Sequence, residues 1–392
     1  MFEKLEVAPA DPILGLTDAF NNDPNSAKIN LGVGVYKDES GITPVMDSVC
    51  KAEKIILDTQ KTKGYLPIPG SPDYGKVVRE LLFGAADAYP AATAHTPGGT
   101  GALRVAGEFL KKYTPGSTVW VSDPTWPNHN GIFGDAGFKV DKYTYYNAKE
   151  RSLNFDGMLA SMQKMAAGDI IILHACCHNP SGIDPTAEQW KQIAKAINEK
   201  KLLLLVDFAY QGLGRGLDED AEGVRILAAA VDEMVICSSF SKNFGLYNER
   251  VGAITLKGAS KETIDKAFSN LKTTIRQLYS NPPSHGGAIV VTIMKDASLR
   301  AEWEKEVAQI RERIAEMRML FVDTLKAKGV KQDFSFLTHQ YGMFSFSGLN
   351  PEQVKKLKEK YSIYIVGSGR INVAGMTKAN MDKLCTAVAD VL

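Results

Sequence analysis

Apolar residues in the middle of the chain come in short, almost unbroken runs. Val119-Trp120-Val121-Ser122, Ile170 to His174, Leu202 to Asp207 and Met234 to Ser238 are each too short for a helix. They are rich in Leu or β-branched residues, which predicts buried strands. The stretches between them follow another period. From Thr186 to Lys200, the residues Trp190, Ile193, Ala194 and Ile197 fall on one helical face. Buried strands separated by helices predict an α/β fold whose mostly parallel sheet is covered on both faces.

Towards the C-terminus the period of three to four becomes long and regular. Leu299, Trp303, Val307, Ile310, Ile314, Met317 and Phe321 predict one extended amphipathic helix that stops at Gly329. Beyond it, Gly342 to Ser347 and Tyr361 to Val366 read as strands of a second, smaller α+β domain. The sequence contains no internal repeat, low-complexity tract or flexible linker.

Composition narrows the picture by exclusion. The chain has 392 residues, 44% hydrophobic and 23% charged, as expected of an ordinary globular protein with a large core. Its 46 Lys and Arg against 45 Asp and Glu leave a net charge of +1. No basic excess points to nucleic acid or an anionic membrane. No apolar stretch reaches the roughly 20 residues that span a bilayer. The segment from Met1 to Pro12 lacks the basic-then-apolar signature of secretion. Five scattered cysteines do not make a disulfide framework, so a cytoplasmic location is expected.

Several segments carry chemistry. Ser238-Ser-Phe-Ser-Lys242-Asn-Phe-Gly-Leu-Tyr-Asn-Glu-Arg250 leaves the end of a predicted strand. A lysine amine there can form a Schiff base with an aldehyde cofactor if its surroundings lower its pKa. Ser239 and Arg250 suit a phosphate dianion. The plainer alternative is a solvated lysine on a surface loop. Thr96-Pro-Gly-Gly-Thr-Gly-Ala-Leu-Arg104 opens a helix whose glycines let backbone N–H groups approach an anion. It lacks the Gly-Lys-Ser/Thr of a nucleotide loop, and a simple tight turn is the alternative. Asp207, at the end of Leu204-Leu-Val-Asp207-Phe-Ala-Tyr210, sits where open α/β sheets bind ligands. Its carboxylate suits a protonated pyridine nitrogen, with Tyr210 reaching a ring hydroxylate. A helix N-cap is the competing use.

His174-Ala-Cys-Cys-His178-Asn179-Pro180-Ser-Gly182 invites a metal reading. No metal is expected, because adjacent cysteines on an extended strand end point to opposite faces and zinc knuckles space theirs differently. Asn179 is a polar side chain fixed on a turn. Trp126, between Pro124 and Pro127, is placed either to stack on an aromatic cofactor or to plug a core. Arg276 and Arg370 each sit in a locally structured segment from which a guanidinium can clamp a carboxylate.

Together these segments resemble the aspartate/aromatic aminotransferase family of fold-type-I pyridoxal phosphate (PLP) enzymes. The likeness runs from Asp11-Pro-Ile-Leu-Gly-Leu to Val373-Ala-Gly-Met, with Ser-Phe-Ser-Lys-Asn-Phe-Gly-Leu-Tyr-Asn-Glu-Arg-Val-Gly and Cys-Cys-His-Asn-Pro-Ser-Gly its most specific parts. It implies an αβα sandwich: an N-terminal arm with part of the small domain over 1–45, a large PLP-binding domain over 46–300, and a small domain over 301–392. It also implies roles. Lys242 would carry PLP and shuttle the proton, Asp207 would pair with the pyridinium, and Tyr210 and Asn179 would bond the ring oxygen under a stacked Trp126. Gly99, Thr100, Ser239 and Arg250 would hold the phosphate, joined by Tyr65 of a second subunit. Arg370, with Gly34 nearby, would bind the substrate α-carboxylate, and Arg276 from the partner chain the distal one. His129 and His178 would be supports. A homodimer with shared sites and ping-pong kinetics follow from that scheme.

Val35, Lys37, Thr43, Thr100 and Asn281 match the aspartate-preferring pattern, whereas Gly64 departs from it and Ile42 is like the aromatic-type members. The resemblance therefore implies transamination of L-aspartate with 2-oxoglutarate, with dual Tyr/Phe activity as the alternative. A PLP lyase or decarboxylase would not need two carboxylate-clamping arginines. A DNA-binding regulator would need a helix-turn-helix domain and a basic face, which the chain lacks.

Overall fold

The computed structural model describes residues 2–7 and 14–392, so the Asp11-Pro-Ile start of the family likeness lies outside the described residues. Two compact units emerge: Pro44–Glu312, and Met1–Thr43 together with Arg313–Leu392.

The larger unit is built on seven strands: β1 Ala91–Pro97, β2 Thr118–Asp123, β3 Lys139–Thr144, β4 Ile170–His174, β5 Leu203–Phe208, β6 Met234–Ser239 and β7 Val251–Lys257. They pair in the order β1-β7-β6-β5-β4-β2-β3. Every pairing is parallel except those of β7, which runs antiparallel to both β1 and β6. Four of the seven are the strands predicted from apolar runs. The central strands β4, β6 and β7 are buried along their whole length, as a sheet covered on both faces requires. Edge strand β3 instead carries Lys139, Asp141 and Lys142, charges that discourage pairing with another chain.

Helices α1 (Gly98–Tyr113), α2 (Ala187–Lys200) and α3 (Lys261–Leu278) belong to this unit. Helix α1 lays Ala102, Leu103, Ala106, Phe109 and Leu110 into the core formed with the sheet. Helix α2 starts where its pattern predicted, at an N-cap Thr186 whose hydroxyl accepts from Gln189 N while the Gln189 side chain returns the bond.

Topology decides what meets at the carboxyl edge of the sheet. Parallel strands β2, β4, β5 and β6 all end there. Because β7 runs the other way, its first residues arrive at the same edge: Val251 lies opposite Pro97 and Gly252 opposite Ser239. The segment between β6 and β7, which carries Lys242, is thus pinned at both ends. Phe240, Phe244 and Leu246 bury its apolar side chains. Trp303, on helix α4 (Ala297–Ala327), stacks on Phe244 with ring centroids 4.3 Å apart and donates its indole N–H to Asn243 O at 2.8 Å.

Helix α4 is the predicted long helix, and its C-terminal end falls in the smaller unit. It terminates short of Gly329, whose φ of 77° is the left-handed geometry of a helix stop. In this unit β8 (Phe344–Phe346) pairs antiparallel with β9 (Arg370–Asn372). The strand expected over 361–366 is only Ile363–Tyr364, paired parallel with Ile29–Asn30. Tyr361 instead ends a helix, and Ser362, at φ 55°, makes the reversal that the apolar pattern does not reveal.

Trp303→Ala removes a fully buried ring and leaves the Asn243 carbonyl without its donor. A loss of about 3–5 kcal/mol in urea unfolding is expected. A variant within about 1 kcal/mol of the parent would show that Trp303 does not pin the Lys242 segment.

Candidate active site

The carboxyl edge gathers its groups in three sets. The first is a cup of backbone and hydroxyls. Helix α1 begins at Gly98, which has φ 73°, and presents its N-terminal N–H groups beside Ser239 and Arg250. No side chain would fit on these glycines. A Cβ on Gly98 would stand 2.5 Å from an Arg250 guanidinium nitrogen, one on Gly99 2.8 Å from Ser239 Cβ, and one on Gly252 2.3 Å from the Gly98 carbonyl carbon. Ser239 and Ser241 hydroxyls lie 3.2 Å apart, and Arg250 donates to Ser241 Oγ at 3.3 Å and to Tyr247 O at 3.0 Å. Thr100 is exposed in the first turn of α1. Helix N-terminus, hydroxyls and guanidinium together make a site for a dianion.

The second set surrounds Lys242. Its amine lies 4.9 Å from the Tyr210 ring centroid. Burial pushes its pKa down from 10.5 to about 8, opposed by the negative charge of Asp207 and assisted by the positive charge of Arg250. That drop multiplies the neutral, nucleophilic amine roughly 300-fold at neutral pH. Asn179 Nδ2 is 3.4 Å from the Tyr210 hydroxyl, and both residues are buried.

The third set keeps Asp207 ionised. This carboxylate is buried near the end of β5, inside the strand, so it caps no helix and the capping alternative falls. Burial alone would raise its pKa, but the hydrogen bond and charge of His129, with His174 and Lys242, hold it below the ordinary carboxylate value. His174 is itself driven down to about 3 by burial. His129 Nε2 meets Asp207 Oδ2 at 3.0 Å, and His129 Nδ1 meets Thr125 Oγ1 at 2.8 Å. Thr125 Oγ1 continues to His174 Nε2 at 3.2 Å. A carboxylate only accepts, so His129 donates from Nε2. Thr125 Oγ1, between His129 Nδ1 and His174 Nε2, holds the His129 ring in place for that bond.

His178 is fixed at both ring nitrogens, by Ser122 Oγ at 2.9 Å and Ser181 Oγ at 2.7 Å, and stacks on Tyr145 at 3.9 Å. Trp126 is half-buried and meets His129 edge-on at 5.4 Å. Tyr65 and Arg276 face solvent in the single chain: Tyr65 is 95% exposed, and Arg276 donates to Ser280 Oγ. Gly34 and Arg370 belong to the smaller unit. There Arg370 is buried, donates to Gly32 O and stacks on Phe344.

Sequence reasoning gave no part to Thr125, Ser241, Gly252 or Phe344. Ser241 and Gly252 stood inside the motif around Lys242, and Thr125 stands beside Trp126 and four residues before its partner His129, so these were recoverable. Phe344 has no local signal, since its partners Gly34 and Arg370 lie far along the chain. The two adjacent cysteines do not alternate along an extended strand. Cys177 has φ 51°, so the segment is not extended there, and Cys176 Sγ, Cys177 Sγ and an Asp220 oxygen lie within 4.8 Å of one another. Donor chemistry argues against a metal instead: burial pushes the Cys176 thiol pKa well up, and the Asp220 carboxylate already accepts from Gly212 N, Gly214 N and Arg215 N at 2.8–2.9 Å.

The implied cofactor can be tested against these groups. PLP needs an anion cup, an amine, a buried carboxylate and polar groups awaiting partners. The cup, Lys242 and Asp207 supply the first three. Asn179 Oδ1 and Ser238 Oγ are buried without hydrogen-bond partners among the described residues. The residues fit the group.

Comparison with known proteins agrees. The family model "Aminotransferase class I and II" matches residues 26–388. Aspartate aminotransferase of Escherichia coli K12 is 56% identical, with all of both chains covered. An aromatic-amino-acid aminotransferase of Pseudomonas aeruginosa is 43% identical over 100% of this chain and 98% of its own. Among solved structures, the aromatic-amino-acid aminotransferase of Burkholderia pseudomallei, covalently bound to pyridoxal phosphate, superposes with a TM-score of 0.98. It is 46% identical and covers 100% of this chain and 99% of its own.

In cofactor-free protein, acylation of Lys242 by a small neutral reagent should follow a titration near pH 8. Asp207→Asn should move that titration to lower pH, because the lost anion had favoured the ammonium form. A midpoint near 10, or a shift upwards in the variant, would contradict the electrostatics described.

Proposed function

This chain belongs to the class I and II aminotransferases, and from that premise we propose which substrates it exchanges and which residues act. It is a PLP-dependent aminotransferase. The reaction is transfer of the amino group of L-aspartate to 2-oxoglutarate, giving oxaloacetate and L-glutamate. The observation that carries the reading is the meeting of a low-pKa Lys242 with an ionised Asp207 around Tyr210 and Asn179.

Bound PLP supplies an aldehyde for the substrate nitrogen and an electron-poor ring that accepts charge when the α-hydrogen leaves. The protein's residues do the rest. Asp207, kept ionised with the help of His129, would pair with the ring nitrogen, while Tyr210 and Asn179 would bond the ring oxygen and Trp126 would stack on the ring. Gly99, Thr100, Ser239 and Arg250 would hold the phosphate. Lys242 would hold the cofactor through its amine and would move the proton at the substrate α-carbon, taking it as a neutral base and returning it as an acid. Its pKa near 8 suits both directions at neutral pH. One site serves both amino donor and oxo-acid acceptor in turn, so the kinetics are ping-pong.

Arg370, with Gly34 beside it, binds the α-carboxylate common to all substrates, and Arg276 binds the distal carboxylate. Tyr65 and Arg276 face solvent in the single chain. Their assigned roles in a shared site are supported by that exposure and call for a homodimer in which each copy lends both to the other. No helix among the described residues is long and apolar enough to cross a membrane. A cytoplasmic location fits the free cysteines, four of them buried.

Activity towards Tyr and Phe is the second reading. The exposed Ile42 and the full-length likeness to an aromatic-amino-acid aminotransferase favour it.

A panel of amino donors against 2-oxoglutarate decides between them: kcat/KM should be highest for aspartate, and a tyrosine or phenylalanine value above it would reverse the assignment. Lys242→Ala should fall to below about 10⁻⁴ of the parent rate, and borohydride should fix PLP to the Lys242 peptide only. Turnover retained in that variant contradicts its role. Arg276→Ala should cut aspartate kcat/KM by about 10²–10³-fold and phenylalanine by less than about tenfold. Equal losses would put the distal clamp elsewhere.

A further inference from the structure

In the smaller unit, β8 and β9 are in a register that sets Phe346 opposite Arg370 and Phe344 opposite Asn372. Phe344 and Arg370 are therefore diagonal neighbours on one face of the pair. The Arg370 guanidinium carbon lies 4.2 Å from the Phe344 ring centroid, and the two residues are only 3% and 4% exposed. A cation this close to a ring face, out of water, is held more strongly than at a surface.

The ring is itself held in place. Arg318, buried on the C-terminal half of α4, donates to Ser345 Oγ and to Phe344 O, both at 3.2 Å, and to Gly342 O. On the other side stands Gly34. A Cβ there would be 2.5 Å from Phe344 Cζ and 3.3 Å from Cε1, so any other residue would push the ring away. The Asn372 amide ties the same segment down by donating to Val33 O at 2.6 Å and Val35 O at 2.8 Å. Arg370 meets the ring on its face and the Gly32 carbonyl at its edge. Both contacts restrain the guanidinium, and a planar fork reads a carboxylate only when aligned with it.

We propose that Phe344 is a positioning residue for the substrate α-carboxylate. Its ring face sets the plane in which Arg370 receives that group, and Gly34 acts by leaving room for the ring. The inference rests on the assignment of Arg370 as the α-carboxylate clamp.

Three changes at this cluster test it in the PLP-loaded enzyme. Phe344→Leu should lower kcat/KM by about 5- to 20-fold, and by the same factor for aspartate and alanine, whose α-carboxylates are alike. Gly34→Ala should do the same by displacing the ring. Placing 3,5-difluorophenylalanine at position 344 keeps the shape but weakens the attraction of the ring for a cation. It should lower both values by about two- to fourfold with Tm unchanged. Ordinary core packing does not respond to that last change. A difluoro enzyme equal to the parent in kcat/KM overturns the proposal, whatever the leucine variant does. Arg370→Lys tests the premise separately. If both substrates keep their kcat/KM in that variant, the clamp assignment fails. If they lose it while the difluoro enzyme is unaffected, the role of Phe344 alone fails.

Discussion

A negative charge kept at the end of a buried strand is the constraint around which the larger unit is arranged. Desolvation opposes the ionised form of Asp207, and an isolated carboxylate there would take up a proton. His129 opposes this through a 3.0 Å bond, with Thr125 placed between its other ring nitrogen and His174. The anion in turn restrains Lys242. Burial lowers the amine pKa and Asp207 raises it, and the balance at about 8 leaves an amine able both to attack and to carry a proton. Asp207 and Lys242 therefore set one another's ionisation through charge.

Backbone approach is the complementary constraint. The dianion cup works only where main chains come unusually close, and β7 brings this about by entering the sheet antiparallel. Gly252 on β7 faces Gly98 at the start of α1 across a gap that no Cβ would fit. The reversed strand also delivers Arg250 to the same edge, immediately before Val251. A fully parallel sheet would send that arginine to the opposite end. The one topological irregularity of the sheet is thus what completes the anion site.

The smaller unit solves a related problem with other means. A guanidinium is held firmly when it is dry and has partners on more than one side. Arg370 is buried on a two-strand ribbon, against an aromatic ring and a backbone carbonyl. Arg318 and Gly34 matter here through what they do to the position of Phe344.

Much of this was legible in the residues themselves. Unbroken apolar runs marked β2, β4, β5 and β6 because strands buried on both faces have no polar side to show. The spacing of Trp190, Ile193 and Ile197 marked α2, and that of Leu299 to Phe321 marked α4, because one side of each is buried. The motifs around Lys242, Asp207 and Asn179 were visible because each is local. What only the tertiary structure decided depends on residues distant in the chain. These include the antiparallel course of β7, the Thr125–His129–Asp207 chain, the left-handed turn at Cys177 that undid the argument from alternating cysteines, and the packing of Phe344 between Gly34 and Arg370. Local pattern records whether a residue is buried and in which kind of element. It does not record what the residue is buried against, because that partner is chosen by the fold, and the pKa shifts and the contacts that hold a guanidinium depend on the partner.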